Sequence, residues 1–262
     1  MIVDGRGRPC DLEGVPQRIV SLVPSTTETL HDLGAAERVV GITKYCVHPR
    51  PWVDGVEKVG GTKKVDVQRI AALQPDLILA NCEENTREIF DALDPVAPLY
   101  AAFPRTVDEA IADVTRTGAL VGCPEAAARW RADIESAREE ARAAARTFRY
   151  AYLIWRKPWM AVSADTFIAA LLAEVGGVGV FAEHDDRFPA VTAAELSGAD
   201  PDVVMLSSEP FPFQDKHRAE LAAATGLPIE RFVLVDGELL SWHGTRMAAG
   251  LRYAASQVPR AG

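Results

Sequence analysis

The sequence predicts an α/β protein of two similar lobes, each built on a central parallel sheet, joined by one long backbone helix. Three observations carry that expectation. Short apolar runs alternate with helical patterns along the chain, which is the order of elements in parallel α/β folds. A helix-favouring stretch, PEAAARWRADIESAREEARAAART, starts at Pro124 and divides the chain near its middle. The chain also resembles itself after a shift of 126 positions, which lays LQPDLILANCE over ADPDVVMLSSE.

The elements follow in order. RIVSLVP, residues 18–24, is an apolar run ending at a proline and reads as a buried strand. STTETLHDLG reads as a helix with a Ser/Thr cap, Glu28 in its first turn and Gly34 as its stop. RVVGIT is the next strand, VDVQRIAALQ a helix closed by Pro75, and DLILANC another buried strand. Proline is tolerated at the first helical position, so Pro124 can open the long helix, which is expected to run to about Thr147. Trp130, Ile134, Ala137, Ala141, Ala144 and Phe148 fall at helical spacing on one apolar stripe. At 1.5 Å per residue such a rod approaches about 40 Å, a length that suits a spine between lobes. The pattern then restarts: AYLIW as strand, ADTFIAALLAEVGG as helix with a glycine stop, TAAELSGA as helix and DPDVVMLSS as strand. The self-match pairs Pro75-Asp76 with Pro201-Asp202 and Glu83 with Glu209. The expected divisions are a lobe over 1–122, the spine over 123–148 and a second lobe over 149–262.

Bulk composition narrows the function. The 262 residues are 48% hydrophobic and 25% charged, as in an ordinary globular protein, and the net charge of −9 argues against a nucleic-acid surface. Cys10, Cys46, Cys82 and Cys123 are scattered without a C-x-x-C pair, so neither a zinc ribbon nor a disulfide framework is indicated. No basic segment followed by a long apolar run opens the chain, and no span reaches the roughly 20 apolar residues of a membrane helix. With Met1 as the native start the expected location is the cytoplasm; otherwise it is the periplasm or the outer face of a membrane.

Catalytic signatures are few. The first strand runs into PSTTET rather than G-x-G-x-x-G, and neither a P-loop nor a G-x-S-x-G elbow occurs. Ser25 stands at a strand-to-helix turn, where its hydroxyl can cap the helix or the free N–H groups can meet an anion. No two of His31, His48, His184, His217 and His243 stand at metal-ligand spacing, so no metal site is expected.

The segments that leave the strand ends or connect the elements are KYCVHPRPW, NCEEN, IWRKPW, DDRFP, SSEPFPF and SWHGTR, and rings and cations gather in them. They carry Tyr45, Trp155, Trp159, Phe188, Phe211, Phe213 and Trp242, with Lys44, Arg156, Lys157, Arg187 and Arg246. Each ring taken alone can be packing at a lobe edge. The set describes a crevice for a large, flat, partly anionic small molecule, because ligands meet parallel α/β folds at the strand ends.

RIVSLVPSTTETLHDLGAAERVVGIT, followed by KVGG and DVQRIAALQPDLILA, resembles the cobalamin- and siderophore-binding proteins of ABC importers, the helical-backbone metal receptors. The resemblance runs from Arg18 to about Tyr253 and implies two lobes, a rigid spine and a ligand held in the cleft between the lobes. Carried over by position, that cleft falls on Pro24, Ser25, Tyr45, Thr62, Lys63, Cys82-Glu83, Trp155, Arg156, Trp159, Arg187, Phe188 and Ser241 to Arg246, including Trp242 and His243. A tryptophan that stacks on cobalamin in the family's best-known binder falls at Thr62, and the two importer-docking glutamates fall at Gln68 and Ala194, with Glu195 adjacent. The expectation is a monomeric, non-enzymatic binder of a metal chelate, a corrinoid first and an iron siderophore or haem second, with an ABC permease as a candidate partner. The alternative is a cytoplasmic enzyme or metabolite handler on the same fold, with Glu83, Glu209 or His243 as acid or base.

Overall fold

The computed structural model describes residues 2–259. Two compact units interleave along the chain. The first takes in the chain up to Pro104, Asp108–Asp133 and His243–Arg246; the second takes in Arg105–Val107, Ile134–Trp242 and the chain from Met247 onward.

The first unit opens with an antiparallel hairpin of β1 (Ile2–Val3) and β2 (Pro9–Cys10). Then come β3 (Ile19–Ser21), α1 (Pro24–Asp32), β4 (Val39–Ile42), α2 (Val67–Ala72), β5 (Leu77–Asn81), α3 (Arg87–Leu93), β6 (Leu99–Ala102) and α4 (Val107–Leu120). Its sheet has the order β4-β3-β5-β6 with every pair parallel. All five residues of β5 are buried, as expected of a parallel strand covered on both faces. The core gathers Val20, Leu22, Ile70, Ile78, Phe90 and Leu93. Helix α1 begins one residue earlier than its sequence suggests. Val23 is the N-cap without a side-chain bond, and Pro24 takes the first helical position, where its preset φ favours helix. The expected Ser/Thr cap is therefore not formed, and Glu28 lies beyond the first turn. Gly34 ends the helix region with φ +84°, as its position predicts.

Helix α5 (Pro124–Ala143) starts where expected, belongs to the first unit up to Asp133 and continues into the second from Ile134. At 20 residues it spans about 30 Å and closes short of Thr147. The reason is competition for backbone partners: Arg146 N–H bonds Val175 O and Phe148 N–H bonds Gly176 O, which draws the chain into a strand. Phe148 thus starts β7 instead of completing the apolar stripe, and Ala144 is exposed, whereas Ile134, Ala137 and Ala141 are buried as expected.

The second unit continues with β7 (Phe148–Trp155), β8 (Trp159–Ala161), α6 (Phe167–Ala173), β9 (Gly177–Gly179), β10 (Ala190–Val191), α7 (Ala193–Ala199), β11 (Val203–Ser207), α8 (Asp215–Thr225), β12 (Phe232–Val235), α9 (Gly237–Ser241) and α10 (Met247–Ser256). Strands β7, β11 and β12 pair in parallel. The other edge of β7 carries β9 in parallel along its first residues and β8 antiparallel along its last, with β10 beyond. The antiparallel β8–β10 extension is absent from the sequence reading. Ala151, Leu153, Leu196, Val204, Leu206 and Phe232 are at the core.

The internal repeat is physical as well as textual. Strand β5 shifted by 126 positions becomes β11, residue for residue. In the first unit Asp76 N–H donates to Arg18 O (2.9 Å), and its carboxylate accepts Arg18 N–H (2.8 Å) and Gln17 N–H (2.7 Å). In the second, Asp202 N–H donates to Arg149 O (2.9 Å), and its carboxylate accepts Arg149 N–H (2.7 Å). The residues ahead of the two prolines, Gln74 and Asp200, both take left-handed φ, 46° and 44°. Each Pro-Asp turn thus pins its strand to the start of the neighbouring one.

Candidate ligand-binding site

Each unit carries its share of the candidate residues near the carboxyl ends of its strands. In the first unit Pro24 and Ser25 begin α1; Pro24 is half-buried and Ser25 buried. The segment His243–Arg246 lies against this helix. Gly244, at φ +94°, passes so close to Thr29 that a Cβ would sit 2.2 Å from its Oγ1. Thr245 donates from N–H to Thr29 Oγ1 (3.2 Å) and from its hydroxyl to Asp32 Oδ2 (2.6 Å). Arg246 closes the segment with a two-pronged pair to Glu28, 2.7 Å on each arm.

His243 is buried at the end of β5. Asn81 Oδ1 accepts the N–H groups of Glu83 (2.7 Å) and Glu84 (3.2 Å), which turns its amide nitrogen toward His243 Nε2 at 3.1 Å. That nitrogen therefore accepts, and the ring is neutral. Burial pushes its pKa down, against the opposing pull of Asp113 and Glu83.

Tyr45, Thr62 and Lys63 come together in a groove of about 720 Å³, where Lys44, Lys64 and Gln68 join them. The floor is a tight turn. Gly61 N–H bonds Lys64 O (2.8 Å), and Gly60 takes φ +106° where a Cβ would meet Lys64 O at 2.7 Å. Buried Asn85 clamps the turn by donating to Thr62 O (2.8 Å), and Lys63 Nζ reaches Glu83 O (2.5 Å). The Tyr45 ring is 53% exposed, with Lys44 Nζ 5.0 Å from its centroid.

In the second unit, β7 ends in Trp155, which is 41% exposed and meets Phe211 edge-on at 5.9 Å. Trp159 opens β8 and stacks on Phe213 at 6.1 Å and 20°. Phe211, Phe213 and His217 complete the ring cluster in edge-to-face contacts. Arg156 lies 5.7 Å over Trp159 and is gripped by both carboxylate oxygens of Glu220 (3.0 and 2.7 Å). A second cavity of about 460 Å³ lies against Arg156, Phe211, Lys216 and His217. Arg187 donates to Asp165 O (2.6 Å) and lies 5.5 Å over Phe188. Trp242 is buried, its indole N–H on Glu209 Oε1 (2.7 Å), which also accepts from the Ser241 hydroxyl (2.9 Å).

Two expectations from composition change here. The arginines expected to meet ligand anions, Arg156, Arg187 and Arg246, each pair with a carboxylate of the protein, Glu220, Asp165 and Glu28. The acid–base candidates are likewise engaged, Glu209 by Ser241 and Trp242 and His243 by Asn81. Ser25 carries no capping bond. At the two positions of the importer-docking glutamates, Gln68 and Ala194 are exposed. Glu195 is held in a capping box by the N–H and hydroxyl of Thr192, both at 2.7 Å, which keep its pKa below the usual carboxylate value. The pairings of Glu28 with Arg246, of Asn81 with His243 and of Glu220 with Arg156 carried no sequence signal, because these partners stand far apart along the chain.

The sequence profile described as "Periplasmic binding protein" matches residues 19–225. The chain belongs to the periplasmic binding protein family. Among curated family members, the vitamin B12-binding protein of Vibrio campbellii is 26% identical over 199 residues, 74% of this chain and 72% of that protein. The corresponding protein of Yersinia pestis is 26% identical over 196 residues, 73% of this chain and 69% of that one. Of solved structures, the periplasmic vitamin B12 binding protein BtuF of Vibrio cholerae superposes with a TM-score of 0.77 at 22% identity, over 92% of this chain and 96% of that one. The apo form of the periplasmic heme-binding protein RhuT from Roseiflexus sp. RS-1 gives 0.79 at 22% identity, over 93% and 100%. This family member therefore has the two-lobed α/β fold of those proteins. Nothing in these relatives supports the cytoplasmic expectation; the solved neighbours are named as periplasmic.

Proposed function

We propose that this protein is a non-catalytic solute-binding protein for a metal chelate, a corrinoid first and haem or a ferric siderophore second. The observation that carries the reading is the ring cluster at the end of β7. A broad, flat solute needs an aromatic platform, and Trp155 offers an exposed ring backed by Phe211, with Trp159 backed by Phe213. The named relatives bind vitamin B12 and haem, which supports the same class. The engaged states of Glu209 and His243 favour binding over acid–base turnover. In this reading the protein acts as a monomer outside the cytoplasm and hands its solute to an ABC permease. With no charge at Gln68 or Ala194, that permease is met by contacts other than the family's glutamate pair.

Titration of the purified protein with cyanocobalamin, hemin and ferric siderophores, read by tryptophan fluorescence, tests this. One of the three should quench saturably and be recovered chemically unchanged. Absence of saturable quenching by all three, or recovery of a converted product, overturns the reading.

A further inference from the structure

We infer that the groove of the first unit selects a solute bearing two or more anionic groups, carboxylate or phosphate, through Lys44, Lys63 and Lys64. The inference rests on the solute-binding reading above and adds the charge class of the solute.

Charge placement is the starting point. The chain carries 37 acidic against 28 basic residues, and the three arginines among the other candidate residues all pair with carboxylates. The groove is the opposite case. Three lysines line it, and none of them forms an ion pair among the described residues. Lys63 Nζ has a neutral acceptor, the Glu83 carbonyl at 2.5 Å, and Lys44 Nζ lies over the Tyr45 ring. Among the described residues the one acid lining the groove is Asp66, and its carboxylate is engaged as the N-cap of α2, accepting Arg69 N–H at 3.0 Å. Like charges held together in a concave surface repel one another and concentrate a positive potential there. An anionic solute relieves that repulsion.

The turn also holds its lysines in place. Gly60 and Gly61 let the backbone lie against Lys64 O and the Tyr45 ring, where side chains would collide (2.7 and 3.1 Å from a Cβ). Asn85, itself buried, fixes Thr62 from behind. Lys63 and Lys64 therefore leave a braced turn, which lowers the ordering cost of meeting a ligand. Compact ammonium groups on long stems suit several separate anionic groups spaced around a rigid ring system better than one planar bidentate partner.

Two matched pairs of probes test this on the full-length protein. One is hemin against hemin dimethyl ester, which keeps ring and metal and blocks both carboxylates. The other is cyanocobalamin against its amide-hydrolysed carboxylic acids. In whichever pair binds, the more anionic member should bind at least tenfold more tightly at low salt, and the preference should shrink as salt is raised. A triple variant, Lys44→Gln with Lys63→Gln and Lys64→Gln, should lose the preference while keeping the weaker binding of the less anionic member. Arg129→Gln, an exposed cation on α5 that lines neither cavity, should leave the preference intact. Equal affinity within the pair, or a preference that survives in the triple variant, overturns the inference and leaves the solute-binding reading standing. Failure of hemin, corrinoids and ferric siderophores alike to bind overturns that reading and this inference with it.

Discussion

Replacing Gly244 by alanine perturbs the first unit at one point whose cost is built from two separable parts. The first is backbone strain: Gly244 has φ +94°, and an L-residue in left-handed conformation costs about 1–2 kcal/mol. The second is collision, because the new Cβ stands 2.2 Å from Thr29 Oγ1. That hydroxyl cannot swing aside freely. It donates to Ser25 O (2.9 Å) and accepts Thr245 N–H (3.2 Å), bonds worth about 1 kcal/mol each. Gly244→Ala should therefore cost about 3–4 kcal/mol. Gly34→Ala isolates the first part, since Gly34 lies in the same unit at φ +84° with nothing within 4 Å of its Cβ position. The expected difference between the two variants is about 2 kcal/mol. At a urea slope of about 2 kcal/mol per molar, it separates their unfolding midpoints by about 1 M. Circular dichroism during urea titration measures it. Coincident midpoints would refute the close packing of Gly244 on α1.

Three further outcomes follow from the geometry. Trp155→Ala should cost about 2 kcal/mol of stability or less, because the residue is 41% exposed and meets Phe211 only edge-on, yet weaken solute binding by about 1 kcal/mol or more; unchanged affinity with unchanged folding would make the ring mere packing. Asp76→Asn should destabilise its unit by about 1 kcal/mol more than Asp202→Asn does its own, since Asp76 accepts backbone N–H groups on both oxygens and Asp202 on one, and an amide keeps a single acceptor; equal effects in limited proteolysis of the two units would refute this. Burial depresses the pKa of His243, so its contribution to stability is present above the ordinary histidine value of about 6.5 and is lost as pH falls through the folded value. Asp113, whose pKa burial raises, acts in the opposite sense on acidification. His243→Gln cannot charge, so its Tm should fall less than the parent's between pH 7.5 and 5.5, and parallel Tm curves would exclude this role.

Much of the architecture is legible because parallel strands covered on both faces read as unbroken apolar runs. DLILANC and DPDVVMLSS show this plainly, and the shift relating them survives into the turn hydrogen bonds. Helix ends are less legible. Nothing local in RAAARTF announces that Arg146 and Phe148 will bond Val175 and Gly176, so the long helix reads four residues too far. Side-chain roles are the least legible part. An arginine in a loop looks the same whether it faces solvent or a carboxylate, and Arg246 finds its partner 218 positions away while Arg156 finds Glu220 at 64. Ring placement is more local, because Trp155 and Trp159 bracket a tight connection between β7 and β8. The lysine groove was partly visible: Lys44, Tyr45, Thr62 and Lys63 are candidates in the sequence, but only the fold brings them to one rim and adds Lys64.

The four residues His243–Arg246 have a practical consequence for anyone who wants to dissect the molecule. They pack with the first unit, although the chain on either side of them, Trp242 and Met247, packs with the second. A gene fragment ending at Asp133 would look like a complete lobe on paper. It would nevertheless lack the piece that satisfies Asn81, Thr29, Asp32 and Glu28, and would leave a polar scar along α1 where that piece had been. Such a fragment needs the missing tetrapeptide grafted back by a linker, or supplied in trans. Because the piece is so short and makes so many polar contacts, the truncated lobe and a peptide centred on HGTR are the pair to try in split-protein complementation.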